Sequence, residues 1–94
     1  MILRFTARAS AGVAAILSQI SRDNRRAAID VAARIEQFSR VLAEQPGMGH
    51  ASSKLGVRVC PIPGLPYLIY FRVRGPEVQI LRVRDARRRP LDRP

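Results

Sequence analysis

The chain has 94 residues, which is enough for one domain with a modest hydrophobic core. Hydrophobic residues make up 47% of the sequence, which excludes a wholly disordered protein. Seventeen Lys and Arg against seven Asp and Glu give a net charge of +10, and every cation except Lys54 is an Arg. This excess predicts a negatively charged partner (nucleic acid, an acidic protein segment or an anionic membrane), the alternative being a merely basic surface.

Three features bear on the compartment. Cys60 is the single cysteine and has no partner for an internal disulfide, which is typical of a reducing cytoplasm. Arg4 and Arg8 interrupt the first apolar stretch, so the N-terminus does not resemble a signal peptide. No stretch approaches the roughly 20 apolar residues that a membrane-spanning helix needs. The sequence therefore predicts a soluble cytoplasmic protein.

The first half of the chain predicts a strand and two helices. Residues 2–6 are β-prone, and Thr6 or Ser10 can cap the helix that follows. Helical spacing forms one apolar stripe in each helix. The first stripe is Val13, Ile16, Leu17 and Ile20, and the second is Ala28, Val31, Ala32, Ile35, Phe38 and Leu42. A polar break at residues 21–24, with Asp23 or Asn24 as the second cap, predicts a helical hairpin.

The second half changes to an alternating pattern. Pro46 and Gly47 end the second helix, and a polar stretch at 51–54 is expected to cross the surface. Strands are predicted near 57–60, 67–73 and 78–83, joined by short turns. The run 67–71 is apolar on both sides, which favours an interior strand.

The predicted fold is therefore α+β, in the order β-α-α-β-β-β. The last three strands form an antiparallel meander, and the first strand joins the same sheet. The helices are expected to pack on one face of that sheet.

Three motifs in this order resemble the toxins of the RelE/ParE superfamily. They are Pro-Gly-Met-Gly at 46–49, Pro-Tyr-Leu-Ile-Tyr-Phe-Arg-Val at 66–73, and Ile-Leu-Arg-Val-Arg-Asp-Ala-Arg at 80–87. The resemblance extends over residues 2–89. It implies a single toxin domain spanning 1–94, with a basic C-terminal tail from about residue 85. It also implies a cognate ParD-like antitoxin, whose flexible C-terminal segment would order on the toxin and mask its apolar and cationic surfaces.

The superfamily divides by target, and the residues distinguish the branches. RelE-like toxins cleave messenger RNA in the ribosome, and Arg58 and Arg82 match positions where those relatives place functional arginines. Arginine cannot act as a base at neutral pH, because its pKa is far too high. We interpret His50 as a polar loop residue, and Tyr67 and Tyr70 as packing residues. Beyond Arg84 the sequence has no Tyr, His or Glu, so the ribonuclease set is incomplete.

This incompleteness favours the ParE-like branch, whose members are understood to poison DNA gyrase without being known as enzymes. We therefore expect a non-enzymatic gyrase inhibitor. Its predicted target-binding residues are Arg82, Arg84, Arg87, Arg88 and Arg89, with Arg93 as a solvated tail residue. The alternatives are a ribosome-dependent endoribonuclease that uses Arg58 and Arg82, or a decayed module that is no longer toxic.

No cofactor or metal is expected. Cys60 is interpreted as a small buried hydrophobic residue. The sequence contains no cluster of Cys and His that would bind zinc. Its glycines are spaced as turn residues and do not form a phosphate-binding loop.

Overall fold

The computed structural model describes residues 1–87, which form two helices and five strands. The elements are β1 (Ile2–Phe5), α1 (Ala7–Asp23), α2 (Arg25–Glu44), β2 (His50–Ala51), β3 (Arg58–Pro61), β4 (Tyr67–Arg74) and β5 (Glu77–Asp85). The predicted α+β class, the order of the helices and longer strands, and their placement in one sheet are confirmed.

The strands form one mixed sheet in the order β1-β5-β4-β3-β2. Strand β1 runs parallel to β5, and the other neighbours are antiparallel. The apolar strand β4 lies between β3 and β5, as its sequence predicted. Strand β1 pairs only with residues 77–80 of β5, so the rest of β5 extends past it.

Strand β2 was missed by the sequence reading, which placed a surface stretch at 51–54 and expected four strands. His50 and Ala51 instead pair with Val59 and Arg58. Gly49 directs the chain into this pairing with a φ of 75°, a value that favours glycine. A Cβ at Gly49 would also lie against the backbone of Val59, so the position excludes a side chain on two grounds. This explains the last glycine of the Pro-Gly-Met-Gly motif.

Polar caps fix both helix starts. The Thr6 hydroxyl accepts a hydrogen bond from the amide of Ala9 and donates one to the carbonyl of Leu81, so it joins the start of α1 to β5. Asn24 accepts from the amide of Ala27 and begins α2 one residue after α1 ends. Of the alternatives left open by the sequence, Thr6 and Asn24 are the caps.

The two helices pack on one face of the sheet, as predicted. We call this the covered face; it is formed by Ile69, Phe71, Val78, Ile80 and Val83, all buried. Helix α2 buries Ile35 and Leu42 against it. Helix α1 packs less completely, and Val13, Ile16 and Ile20 remain half-exposed.

The opposite face of the sheet carries no helix within residues 1–87. We call it the open face. Strand alternation and register place on it Val59 of β3, Leu68, Tyr70 and Arg72 of β4, and Gln79, Arg82 and Arg84 of β5. A smaller apolar cluster of Val57, Val59, Tyr70, Leu68 and Leu81 lies there.

Candidate functional site

A β-bulge positions the central arginine of the open face. Tyr70 pairs with Arg82, whereas the next residue, Phe71, pairs with Ile80, so Leu81 is an extra residue in β5. Leu81 packs with the apolar cluster of the open face, and Arg82 lies beside it. A bulge of this kind redirects side chains at sheet edges.

Arg82 lines an open-face groove of about 710 Å³, which we call groove 1. Its remaining lining residues come from the start of α1, the loop after β2 and the middle of β4: Thr6, Arg8, Ser52, Ser53, Lys54, Leu55, Val57, Tyr70, Arg72 and Leu81. Four cations therefore surround an apolar floor.

The charge of Arg82 is uncompensated within residues 1–87. Burial lowers the pKa of Arg82, and the like charges of Arg8 and Arg84 lower it further. No hydrogen bond or ion pair occupies the side chains of Arg82 and Arg8 in this part of the chain. A cationic cluster of this kind attracts anions.

The other residues of the predicted target-binding set differ in their surroundings. Arg84 is 7% exposed and shares the open face with Arg82. Arg87 is exposed, and its guanidinium forms an ion pair of 2.6 Å with Asp85, which raises the pKa of Arg87. Arg88 and Arg89, like Arg93, lie outside the described residues.

Arg58 is held away from groove 1. Its guanidinium donates hydrogen bonds of 2.8–3.0 Å to the carbonyls of Gly47, Met48 and Gly49. It pairs with Phe71 and so belongs to the covered face, whereas Arg82 pairs with Tyr70 on the open face. The structure therefore does not bring the two arginines of the ribonuclease alternative together.

The register places two titratable groups, His50 and Tyr70, on the same row as Arg82. His50, Val59, Tyr70 and Arg82 follow one another across four strands. Three strand spacings separate His50 from Arg82, or about 14 Å, so the two do not converge on one phosphodiester. Tyr70 is 9% exposed and packs against Val57 and Val59, which agrees with its interpretation as a packing residue.

Cys60 is buried on the covered face among the core residues, as expected from its sequence context. Burial raises the pKa of the Cys60 thiol, and the charge of Arg58 opposes that shift. The thiol therefore stays protonated at neutral pH, which makes it a poor nucleophile.

A second groove, groove 2, lies between α1 and the C-terminal end of β5 and has a volume of about 780 Å³. Its apolar part comes from Ala15, Ile16 and Ile20 of α1 and from Val83, and its charged part includes Arg82, Arg84 and Arg87 with Asp23 and Asp85. Arg82 lines both grooves.

Helix α1 approaches β5 closely beside groove 2. A Cβ added at Gly12 would lie 2.9 Å from the carbonyl oxygen of Val83, a distance that real side chains do not show. Gly12 thus permits the close packing of α1 on β5.

Sequence reasoning missed Arg8, Lys54 and Arg72 as members of the same cationic cluster. Their separation along the chain hides this, because the Thr6 hydrogen bond, the β2–β3 turn and the pairing of β4 with β5 bring them together. The adjacent apolar pair Ile80-Leu81 was a readable sign of the bulge, since a regular strand alternates. Within residues 1–87 no three His, Cys, Asp or Glu side chains are placed to hold a metal ion. Neither α1 nor α2 combines the length and the hydropathy of a membrane-spanning segment.

Comparisons with known proteins agree with this architecture. The family model described as "ParE toxin of type II toxin-antitoxin system, parDE" matches residues 3–90. A solved structure described as "Chromosomal ParDE TA system from P. aeruginosa" superposes with a TM-score of 0.82 at 30% identity, covering 90% of this chain and 95% of that one. A comparison with curated proteins gives no significant match.

Proposed function

This chain belongs to the ParE toxin family of type II toxin–antitoxin systems, and from that membership we propose that it inhibits DNA gyrase by binding and is neutralised by a ParD-like antitoxin. The observation that supports a binding mode is the separation of Arg58 from Arg82. A phosphodiester-cleaving site needs cations and proton-transfer groups around one phosphate. Here Arg58 is engaged by three backbone carbonyls on the other face of the sheet.

The proposed gyrase-binding surface is the C-terminal part of β5 and the residues after it. Arg82, Arg84 and Arg87 lie within one short stretch and line groove 2 together. The sequence continues with Arg88 and Arg89, which extend the positive charge. Arginines at the centre of interfaces contribute strongly to binding because their planar forks pair with carboxylates.

A gyrase assay with the purified toxin tests this proposal. Supercoiling by gyrase and the amount of cleaved DNA complex are measured with rising toxin concentration, with and without the cognate antitoxin. We expect inhibition that the antitoxin reverses. A normal supercoiling rate at a large excess of toxin would contradict the gyrase proposal, and the same protein would then be tested for cleavage of translated messages.

Matched variants locate the surface. Arg82→Gln is expected to weaken inhibition at least tenfold, which corresponds to a loss of about 1.4 kcal/mol or more. Arg25→Gln removes the same charge from the exposed start of α2 and is expected to leave inhibition unchanged. Equal weakening by both variants would show that net charge, and not this surface, is responsible.

The proposed antitoxin site is groove 2. Its half-exposed Ile16 and Ile20 offer apolar area, and Arg84 and Arg87 offer cations beside it. An amphipathic antitoxin segment that orders on binding would bury this apolar area and place its own negative charge beside these cations. Neighbouring alanines of α1 provide the test, because Ala15 lines the groove and Ala14, also exposed, does not.

Ala15→Arg is expected to weaken antitoxin binding at least tenfold in calorimetry, whereas Ala14→Arg leaves it unchanged. Both variants replace an alanine by an arginine on an exposed helix surface, where the substitution costs little stability. Unchanged binding by Ala15→Arg would place the antitoxin elsewhere on the toxin.

A further inference from the structure

Groove 1 contains positive charge, and the described residues of its walls contribute no negative charge. Its four cations are Arg8, Lys54, Arg72 and Arg82, and none of its described lining residues is an Asp or Glu. Glu77, a carboxylate on the open face outside this lining, accepts hydrogen bonds from Arg4 and from Gln79. Groove 1 thus differs from groove 2, whose lining includes two carboxylates.

The donors of groove 1 are available to a ligand. The side chains of Arg8 and Arg82 donate no hydrogen bond to residues 1–87. The Nε of Arg72 donates a hydrogen bond of 2.9 Å to Gln79. This bond orients the guanidinium and leaves its terminal N–H groups available to a ligand. Arginine forks of this kind bind phosphate oxygens in pairs.

The loop that carries Lys54 is fixed by its own hydrogen bonds. The amide of Ser52 donates to the carbonyl of Val57, and the amide of Val57 donates to the carbonyl of Lys54. The Ser52 hydroxyl accepts from the amide of Lys54 at 3.1 Å. The backbone of Lys54 is therefore fixed in the lining of groove 1, which Lys54 shares with Arg8 and Arg82.

The floor of groove 1 is apolar. Val57, Tyr70 and Leu81 form it, and the exposed side chain of Leu55 stands at the rim. A chain molecule with anions along one side and flat apolar groups along the other would satisfy both the cations and the floor. A single strand of nucleic acid has this character.

We propose that groove 1 binds a single DNA strand, with phosphates on Arg8, Lys54, Arg72 and Arg82 and with sugars and bases over the apolar floor. The proposal that groove 1 binds a single strand does not depend on gyrase being the target. The choice of DNA over RNA does rest on the proposed gyrase target. An acidic peptide is the competing ligand, but it lacks the flat apolar groups that would cover the floor of groove 1.

The test is fluorescence anisotropy with a labelled dT12 strand and the full chain, repeated over a range of salt concentrations. The groove variant is Arg8→Gln, Lys54→Gln and Arg82→Gln combined. The control removes the same charge from exposed helix positions, with Arg22→Gln, Arg26→Gln and Arg40→Gln combined. Each phosphate contact contributes about 0.7 to the slope of log affinity against log salt for single strands.

We expect the groove variant to lower the magnitude of this slope by roughly 2, from three lost contacts, and the control to change it much less. Equal changes in both would overturn the proposal, because diffuse charge would then explain binding. Tighter binding of rU12 than of dT12 would overturn the assignment to DNA. Binding of a poly-Glu peptide that is equally tight and equally sensitive to the groove variant would show a carboxylate site.

Circular dichroism spectra and melting temperatures check that the groove variant is folded. Gyrase inhibition by the wild-type toxin is measured alongside. Inhibition without dT12 binding would overturn groove 1 alone, and dT12 binding without inhibition would overturn only the gyrase target and the choice of DNA that depends on it.

Discussion

The two faces of the sheet use the same strands for different purposes. On the covered face, Phe71 and Ile80 are fully buried beneath the helices, and their positions follow from burial of apolar area. On the open face, Tyr70 lies one residue before Phe71, and Arg82 lies two residues after Ile80, beyond the bulged Leu81; both line groove 1. One face is thus built for stability, whereas the other keeps charge accessible.

The adjacent residues Ile80 and Leu81 allow the largest test of this contrast. Ile80 is completely buried on the covered face, whereas Leu81 is half-exposed on the open face. Ile80→Ala is expected to lower the free energy of unfolding by about 2–5 kcal/mol. Leu81→Ala should cost about 1 kcal/mol, since less of its area leaves water. Urea unfolding followed by circular dichroism measures both, and equal losses would remove the distinction between the faces.

Arg58 tests whether an arginine can belong to the structural face. Its three hydrogen bonds fix the turn that leads into β2. Arg58→Ala is expected to lower the free energy of unfolding by about 2–3 kcal/mol, since charged hydrogen bonds are lost and carbonyls are left without their donor.

Arg74, exposed at the end of β4, is the matched control for Arg58, and Arg74→Ala should change stability by less than about 0.5 kcal/mol. If Arg58→Ala unfolded at the same urea concentration as Arg74→Ala, the role assigned to Arg58 would be wrong.

Arg82 should show the opposite behaviour. Its pKa is lowered by burial and by Arg8 and Arg84, so the fold disfavours its charge. Arg82→Gln is therefore expected to leave the melting temperature unchanged or slightly higher, although it weakens gyrase inhibition. A clear fall in melting temperature would show that Arg82 stabilises the fold and would blur the contrast with Arg58.

Glu77 gives the smallest expected effect. Hydrogen bonds from Gln79 and then from Arg4 lower the pKa of Glu77. A carboxyl group whose folded pKa is lowered stabilises the protein above its unfolded pKa, and this stabilisation is lost as pH falls through the folded pKa. Glu77→Gln should be slightly less stable than the wild type at pH 6, and the difference should vanish in acid. A difference that is the same at pH 6 and in acid would contradict this account.

The covered face was largely readable from the sequence, because burial leaves a periodic apolar pattern. The apolar run of β4 and most of the two helix stripes predicted it correctly; Leu17 of the first stripe is only partly buried and is not among the residues packed on the core. Strand β2 was not readable, since its two residues pair only because Gly49 and Arg58 shape the preceding turn. The cations of the open face were visible as composition only, and their clustering depends on contacts between distant segments such as Thr6 and Leu81.

The bulge at Leu81 takes up one extra residue of β5 without disturbing the strand that follows it. Side chains of β5 alternate between the covered face and the open face, and one additional residue would normally reverse the face of every side chain after it. Because Leu81 is absorbed locally, Val83 still points into the core and Arg82 and Arg84 still point to the open face. Deleting Leu81 should leave the side-chain directions of the following residues unchanged, whereas inserting one residue a few positions later would turn arginines into the core. The strand should thus tolerate a change of length at this one place and not beside it.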